Sequence, residues 1–264
     1  MEYKDIIYTN EEGIATITLN RPEAMNAFSP EMSESITRAV QDSAQDDSVR
    51  VIIITAKGRA FCTGADVKML AQRFEQADEA EKKRLLRSEN VRFPILFRSI
   101  DKPIIASING VAVGGGLDFA LSCDIRIASD KARFAEVFIR RGLIPALGGI
   151  FFIPRMVGVD KACELIWTGD IVDAKEAERI GLVTKVVPHN ELEIATWEFA
   201  QKLAKGPPLA IQRAKRAIYE SLSMGLETSL NFVGALSRDL MQSEDHKEGA
   251  RAFLEKREPV FKGK

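Results

Sequence analysis

Residues Lys102–Asp124 read KPIIASINGVAVGGGLDFALSCD, and the rest of the chain is organised around them. A β-branched apolar run, Ile104–Ile108, ends at Asn109-Gly110, a turn pair in which both residues tolerate positive φ. Gly114, Gly115 and Gly116 follow, and a helix-compatible run continues from Leu117 to Ser122. A strand that passes through a glycine cluster into a helix start presents bare backbone N–H groups beside the positive end of a helix dipole. Such a place stabilises a developing oxyanion without a cationic side chain, and glycine lets the ligand approach the backbone closely. Asp118 falls two residues after the last glycine, in the first turn of that helix. The dipole favours a carboxylate there, and the side chain can face a bound ligand. The same residues also suit a plain strand-to-helix turn with an ordinary first-turn acid. They match neither the dinucleotide fingerprint nor the phosphate-binding Gly-Lys-Ser/Thr loop.

Outward from this stretch the chain alternates strands and helices. Ile14–Leu19 (IATITL) reads as a strand, broken by Asn20-Arg21-Pro22. Ser29-Pro30 starts a helix, with serine as N-cap and proline in the first turn, and Met32, Ile36 and Val40 continue it at helical spacing. Val51–Thr55 is wholly apolar, as a strand buried on both faces would be. Gly58–Asp66 again leads from a strand through glycine and small residues towards a helical pattern. Val67–Ser99 is charged and amphipathic and reads as one or two helices over a pocket. Ile125–Ala128 is a further strand, and Leu147-Gly148-Gly149 opens a helix to about Val157. Asp173–Glu176 resembles a capping box, with Gly181 as the matching stop. After a last strand, Val183–Val187, four helical patterns fill the remainder: Leu192–Ala204, Pro207–Ser221, Leu226–Met241 and Asp245–Arg257. The expected fold class is therefore α/β with a parallel core. Residues 1–200 form the core, and residues 201–264 a helical region that packs on neighbouring subunits.

Composition narrows the function. The 264 residues are 45% hydrophobic and 28% charged, as in a soluble globular protein. A formal net charge of −1 gives no reason to expect nucleic acid or an anionic membrane as partner. The basic piece Gln212–Arg216 reads as a solvated helix face. Cys62, Cys123 and Cys163 lack metal-ligand spacing and, with only His189 and His246 beside them, suggest neither a zinc site nor disulfides. No apolar run reaches the ~20 residues that span a bilayer, and the amino terminus lacks a signal-peptide core. A cytoplasmic location is expected.

Five segments, in order along nearly the whole chain, resemble the crotonase (enoyl-CoA hydratase/isomerase) superfamily. They are LNRPEAMNAF (Leu19–Phe28), GRAFCTGADVKML (Gly58–Leu70), Lys102–Ser129, GLIPALGG (Gly142–Gly149) and AFLEKREPVF (Ala252–Phe261). The resemblance implies a spiral of ββα units with a C-terminal helical trimerisation region, assembled as a trimer or a dimer of trimers. It implies an acyl-CoA thioester as substrate, whose CoA is part of the substrate and not a cofactor. The thioester carbonyl would be held by the backbone N–H groups of Ala65 and Gly115. By the same matching, Ala24, Met25, Thr63, Asp66, Val67 and Gly114 line the CoA groove, and Phe253 and Lys256 reach the CoA nucleotide, where a lysine suits phosphate.

The chain departs from the family pattern at the acids. Hydratases of the family use two glutamates. Asp118 takes the first place with a side chain one methylene shorter. Phe138 takes the second, and suggests a different acyl shape. Glu136 lies two residues earlier and would substitute only under a different loop arrangement. Ala146 replaces the aspartate that some isomerases carry, and residues 67–100 offer no histidine. The expectation is one carboxylate in a largely apolar pocket, supporting enoyl-CoA hydration. Double-bond isomerisation with Asp118 as a single proton shuttle and an inactive CoA-binding scaffold are the alternatives.

Overall fold

The computed structural model describes residues 3–67, 69, 75–78 and 92–264. Strands β1 (Ile6–Glu11) and β2 (Ile14–Leu19) form an antiparallel hairpin. Its two-residue turn, Glu12-Gly13, takes positive φ at both residues, as the twist of a tight hairpin requires. Helix α1 (Pro30–Gln45) follows, and the Ser29 hydroxyl accepts from Met32 N–H at 3.0 Å to cap it.

Three strand pairs then build the architecture. They are β3 (Val51–Ala56) with β4 (Ala60–Cys62), β5 (Ile104–Ile108) with β6 (Val111–Val113), and β7 (Ile125–Ser129) with β8 (Arg133–Ala135). In each pair the first strand lies in a six-stranded sheet, ordered β1-β2-β3-β5-β7-β10, where β10 is Lys185–Val187. The second lies in a four-stranded sheet, ordered β4-β6-β8-β9, where β9 is Val172–Asp173. Apart from the antiparallel edges β1 and β9, both sheets are parallel. Each turn of the chain thus contributes one strand to each sheet.

The apolar runs are explained by burial on both faces of the larger sheet. One face packs Ile17, Ile52, Ile54, Ile104 and Phe119 into the main core. The other packs Val51, Ile53, Ile105 and Ile127 against helix α7 (Leu192–Ala204). That helix runs through residues 200 and 201, where the sequence reading divides the chain, and buries Leu192, Ala200 and Ala204 against the sheet. Before it come α2 (Phe93–Ser99), α3 (Gly115–Ser122), α4 (Gly149–Val157), α5 (Val159–Thr168) and α6 (Ala174–Arg179). Helices α8 (Pro208–Ser221), α9 (Leu226–Met241) and α10 (Glu244–Glu255) complete the chain. Of the helices expected between Val67 and Ser99, α2 is described, and residues 79–91 lie outside the described residues.

Two local expectations change. Asn109-Gly110 links β5 to β6 without positive φ at either residue. Glycine is needed there because a Cβ at Gly110 would overlap the Arg59 carbonyl oxygen. Gln212–Arg216 is not uniformly solvated either. Lys215 is buried, and its ammonium meets Asp124 at 2.8 Å and the carbonyls of Phe97 and Lys102 at 3.1 and 3.0 Å. Asp124 also accepts from the Tyr219 hydroxyl and from Ile104 N–H. This cluster ties α8 to the start of β5. Removing one member of a buried ion pair leaves the other charge uncompensated. Lys215→Ala should therefore lower unfolding stability by about 3–5 kcal/mol in urea denaturation, whereas Arg213→Ala on the same helix should leave it near the parent value.

Candidate active site

The smaller sheet brings the site together, because its parallel strands end side by side. Cys62 of β4 pairs with Ala112 of β6, and Val113 of β6 pairs with Ala135 of β8. The residues leaving those strands are therefore neighbours: Gly64-Ala65, Gly114-Gly115 and Glu136. Gly114 takes φ +53 as it turns the chain into α3, and its N–H donates to Ala135 O at 2.8 Å.

The first two exits supply amides. Ala65 forms an isolated parallel bridge with Phe28. The bridge bonds run from Phe28 N–H to Gly64 O (2.8 Å) and from Asp66 N–H to Phe28 O (3.4 Å). The N–H of Ala65 itself points away from Phe28. Gly115 is the first residue of α3, so its N–H has no intrahelical partner. The two amides are close, since a Cβ built on Gly115 would lie 3.8 Å from Ala65 N. Glycine is required by this crowding: a Cβ at Gly116 would overlap the Cys62 carbonyl oxygen.

All eight residues of α3 are buried, including Asp118, which has no exposed surface. Its Oδ2 accepts from Leu147 N–H at 3.2 Å. Gly149, at the start of α4, also turns its N–H towards the carboxylate, so Asp118 faces the positive end of a second helix. Its Oδ1 has no hydrogen-bond partner among the described residues.

Glu136 stands opposite Asp118. This overturns the expectation of a single carboxylate with Glu136 set aside. The register of β6 with β8 puts the exit of β8, which is Glu136, beside α3. Glu136 is 1% exposed, and neither of its carboxyl oxygens has a partner among the described residues. Both carboxyls converge on the bare Cα of Gly149. A Cβ there would lie 2.5 Å from Asp118 Oδ1 and 2.9 Å from Glu136 Oε1. Phe138, on the 3₁₀ turn Val137–Arg141, instead brings its ring to within 3.6 Å of a Cβ built on Gly114.

Burial raises both acids. It pushes the Asp118 carboxyl up to about 7, against the lowering effect of Leu147 N–H, Glu136 and Gly149 N–H. Glu136 is driven far above the ordinary carboxyl range, first by burial and then by the charge of Asp118 and the hydrogen bond to it. Two adjacent ionised carboxylates have no donor between them, whereas one proton on the pair supplies it.

The remaining expected residues are spread more widely. Ala24 ends a 3₁₀ turn, and Met25, at φ +54, accepts from Arg59 Nε through its sulfur at 2.9 Å. The Thr63 hydroxyl donates to Met25 O at 3.4 Å. Asp66 has structural work, pairing with Arg21 at 3.4 Å and accepting from Met69 N–H at 3.2 Å. Val67 is exposed beside it. Phe253 lies exposed on α10, and Lys256 is its left-handed C-cap. Among the described residues, no hydrogen bond or ion pair joins either of these two to Asp118, Ala65 or Gly115. The reading of the sequence missed Glu136 and the two donors at Leu147 and Gly149. The strand pattern carried a signal for Glu136, since it follows β8 directly as Gly114 follows β6.

The sequence profile of the enoyl-CoA hydratase/isomerase family matches residues 9–264. The chain belongs to the enoyl-CoA hydratase/isomerase family. Members similar to it include the crotonyl-CoA hydratase of Syntrophomonas wolfei, 36% identical over 99% of both chains. The trans-2-decenoyl-[acyl-carrier-protein] isomerase of Streptococcus mutans is 34% identical over the full length of both. The solved structure of enoyl-CoA hydratase from Bacillus anthracis superposes with a TM-score of 0.91 at 33% identity, covering 99% of this chain and all of the other. The α/β architecture of this family member is thus that of the solved hydratases.

The raised Asp118 value has a consequence for stability. Between the ordinary aspartate value and about 7, the folded state holds a proton that the unfolded chain releases. That contribution is complete below the unfolded value and is lost as pH rises through the folded one. Tm should fall between about pH 4 and about pH 7, and Asp118→Asn should make the fall shallower in scanning calorimetry, leaving the part that belongs to the raised Glu136 carboxyl.

Proposed function

We infer that this enzyme adds water across the double bond of a 2-enoyl-CoA thioester. The observation that carries the reading is Asp118 Oδ1, a buried oxygen without a partner among the described residues, one helical turn from the Gly115 amide and its neighbour at Ala65. In the reaction, the oxygen of water bonds to C3 while its proton passes to Asp118. The displaced electron pair moves through C2 onto the thioester oxygen, forming an enolate that the amides of Ala65 and Gly115 stabilise. Preorganised donors of this kind contribute about 3–4 kcal/mol each. The enolate then re-forms the carbonyl and C2 takes a proton from Asp118, which returns the carboxylate to its starting state. The reaction needs no cofactor, because CoA belongs to the substrate.

The isomerase among the relatives favours a second reading, in which Asp118 moves a proton between two carbons of an enoyl thioester. An inactive CoA-binding scaffold is disfavoured by the buried Asp118, whose Oδ1 has no partner among the described residues, an arrangement that stability alone does not need. We read the protein as a cytoplasmic trimer or dimer of trimers. Exposed Leu226, Leu230, Phe253 and Leu254 on α9 and α10 support self-association, and the free thiols of Cys62, Cys123 and Cys163 suit a reducing compartment. Ala24, Met25, Thr63, Asp66, Val67 and Gly114 remain the proposed CoA groove, with Phe253 and Lys256 reaching it in the assembly.

Loss of enoyl absorbance from crotonyl-CoA tests the reading. The parent should consume it, and Asp118→Asn should be slower by about 100-fold or more, the usual effect of losing a general base. A parent that leaves 2-enoyl-CoA unchanged but shifts the double bond of a 3-enoyl-CoA would establish isomerisation instead.

A further inference from the structure

Glu136 is the buried titratable group that the reaction as written does not use. It is a carboxyl with 1% exposure and both oxygens unpartnered among the described residues. A buried polar group is normally satisfied. Three features of the backbone hold it there. The register of β6 with β8 fixes the exit of β8 beside α3. Gly149 keeps clear the space that a side chain would fill between the two acids. Gly169, at φ +62, packs against the Glu136 carbonyl, where a Cβ would approach within 3.1 Å.

The charges around Glu136 narrow its role. From α3 it faces Asp118, the one titratable group whose charge acts on it among the described residues. Arg140, on the 3₁₀ turn that follows, turns outward to Asp170 at 3.2 Å, and α4 presents Gly149 to it. With no cation beside the two carboxylates among the described residues, the pair retains a proton, and the facing oxygens provide its donor and its acceptor. Asp118 accepts a hydrogen bond from Leu147 N–H and faces the N–H of Gly149, and both favour its charged form. Glu136 has no such donor among the described residues, so the proton belongs on Glu136.

We propose that Glu136 is the proton holder of the site, a positioning residue whose carboxylic O–H donates to Asp118 and keeps Asp118 the ionised, proton-accepting member of the pair. This rests on the use of Asp118 as the base. The shared proton is not consumed: Asp118 takes a proton from water and returns it to C2 while Glu136 keeps its own. Ionisation of Glu136 at high pH sets a second negative charge beside Asp118 and the enolate and removes the donor that orients Asp118. Activity therefore rises as Asp118 ionises and falls when Glu136 does.

Two readouts test the proposal. In protein labelled with ¹³C at the Asp and Glu carboxyls, with Glu136→Gln and Asp118→Asn used for assignment, the Glu136 resonance should remain that of a protonated acid through neutral pH. In Asp118→Asn it should titrate lower, because the neighbouring charge is gone. A Glu136 carboxyl that ionises in the ordinary glutamate range in the parent would overturn the proposal. This measurement needs no turnover, so it remains decisive if crotonyl-CoA is not hydrated and the hydratase reading fails. In the second readout, the pH profile of kcat/KM, Glu136→Gln should retain the limb set by Asp118 and lose the alkaline limb, since its amide still donates but does not ionise. Glu136→Leu, which offers no donor, should lower kcat/KM by about 100-fold and move the remaining limb to higher pH. An alkaline limb that persists in Glu136→Gln would refute the assignment, and the near-isosteric amide keeps the test valid if the leucine variant does not fold.

Discussion

Parallel pairing of the three short strands β4, β6 and β8 is the constraint on which the site depends. Residues leaving adjacent parallel strands at matching register emerge side by side. The bridge of Cys62 with Ala112 and the pairing of Val113 with Ala135 therefore place Ala65, Gly115 and Glu136 together although they are far apart in sequence. Helix α3 must then start in direct contact with β4, which only glycine at position 116 permits. The same crowding brings two amides together without a side chain between them. The anion site is thus a by-product of backbone packed on backbone.

This arrangement places acids where water is excluded. Asp118 lies on a helix buried on all sides, and Glu136 at the end of a buried strand. Burial penalises the charged form of each, and proximity penalises two charges more than one. The amides of Leu147 and Gly149 offset part of that cost for Asp118 alone. Two similar carboxyls thereby acquire different proton affinities from the backbone around them. A base poised near neutral pH beside a protonated acid suits proton transfer to and from a thioester substrate. The larger sheet and α7 supply the apolar burial that lets the fold tolerate this pair.

The sequence made much of this legible. Residues 104–108 and 51–56 are apolar but for Ser107 and Thr55, and such runs form strands buried on both faces. Ser29-Pro30 and Asp173 mark helix starts through capping chemistry that is local to a few residues. Asp118 and the glycines were likewise visible, because they lie within one turn of each other in the chain. Glu136 was not. Its importance comes from strand register, and a two-residue offset from Phe138 moves a side chain along the exit of β8 in a way that residue types alone do not report. Lys215 was misread for the same reason: its helix pattern is polar, but its partner Asp124 is distant in sequence.

By itself, then, the sequence determined the α/β class, the strand-to-helix turns able to hold an oxyanion, and Asp118 as the candidate base, since periodicity, capping and glycine act over a few residues. Tertiary structure alone decided that the site contains two carboxyls and that the donors of Leu147 and Gly149 favour charge on one of them. Those features depend on desolvation and on which backbone ends meet in space. Neither quantity is a property of any short stretch of chain.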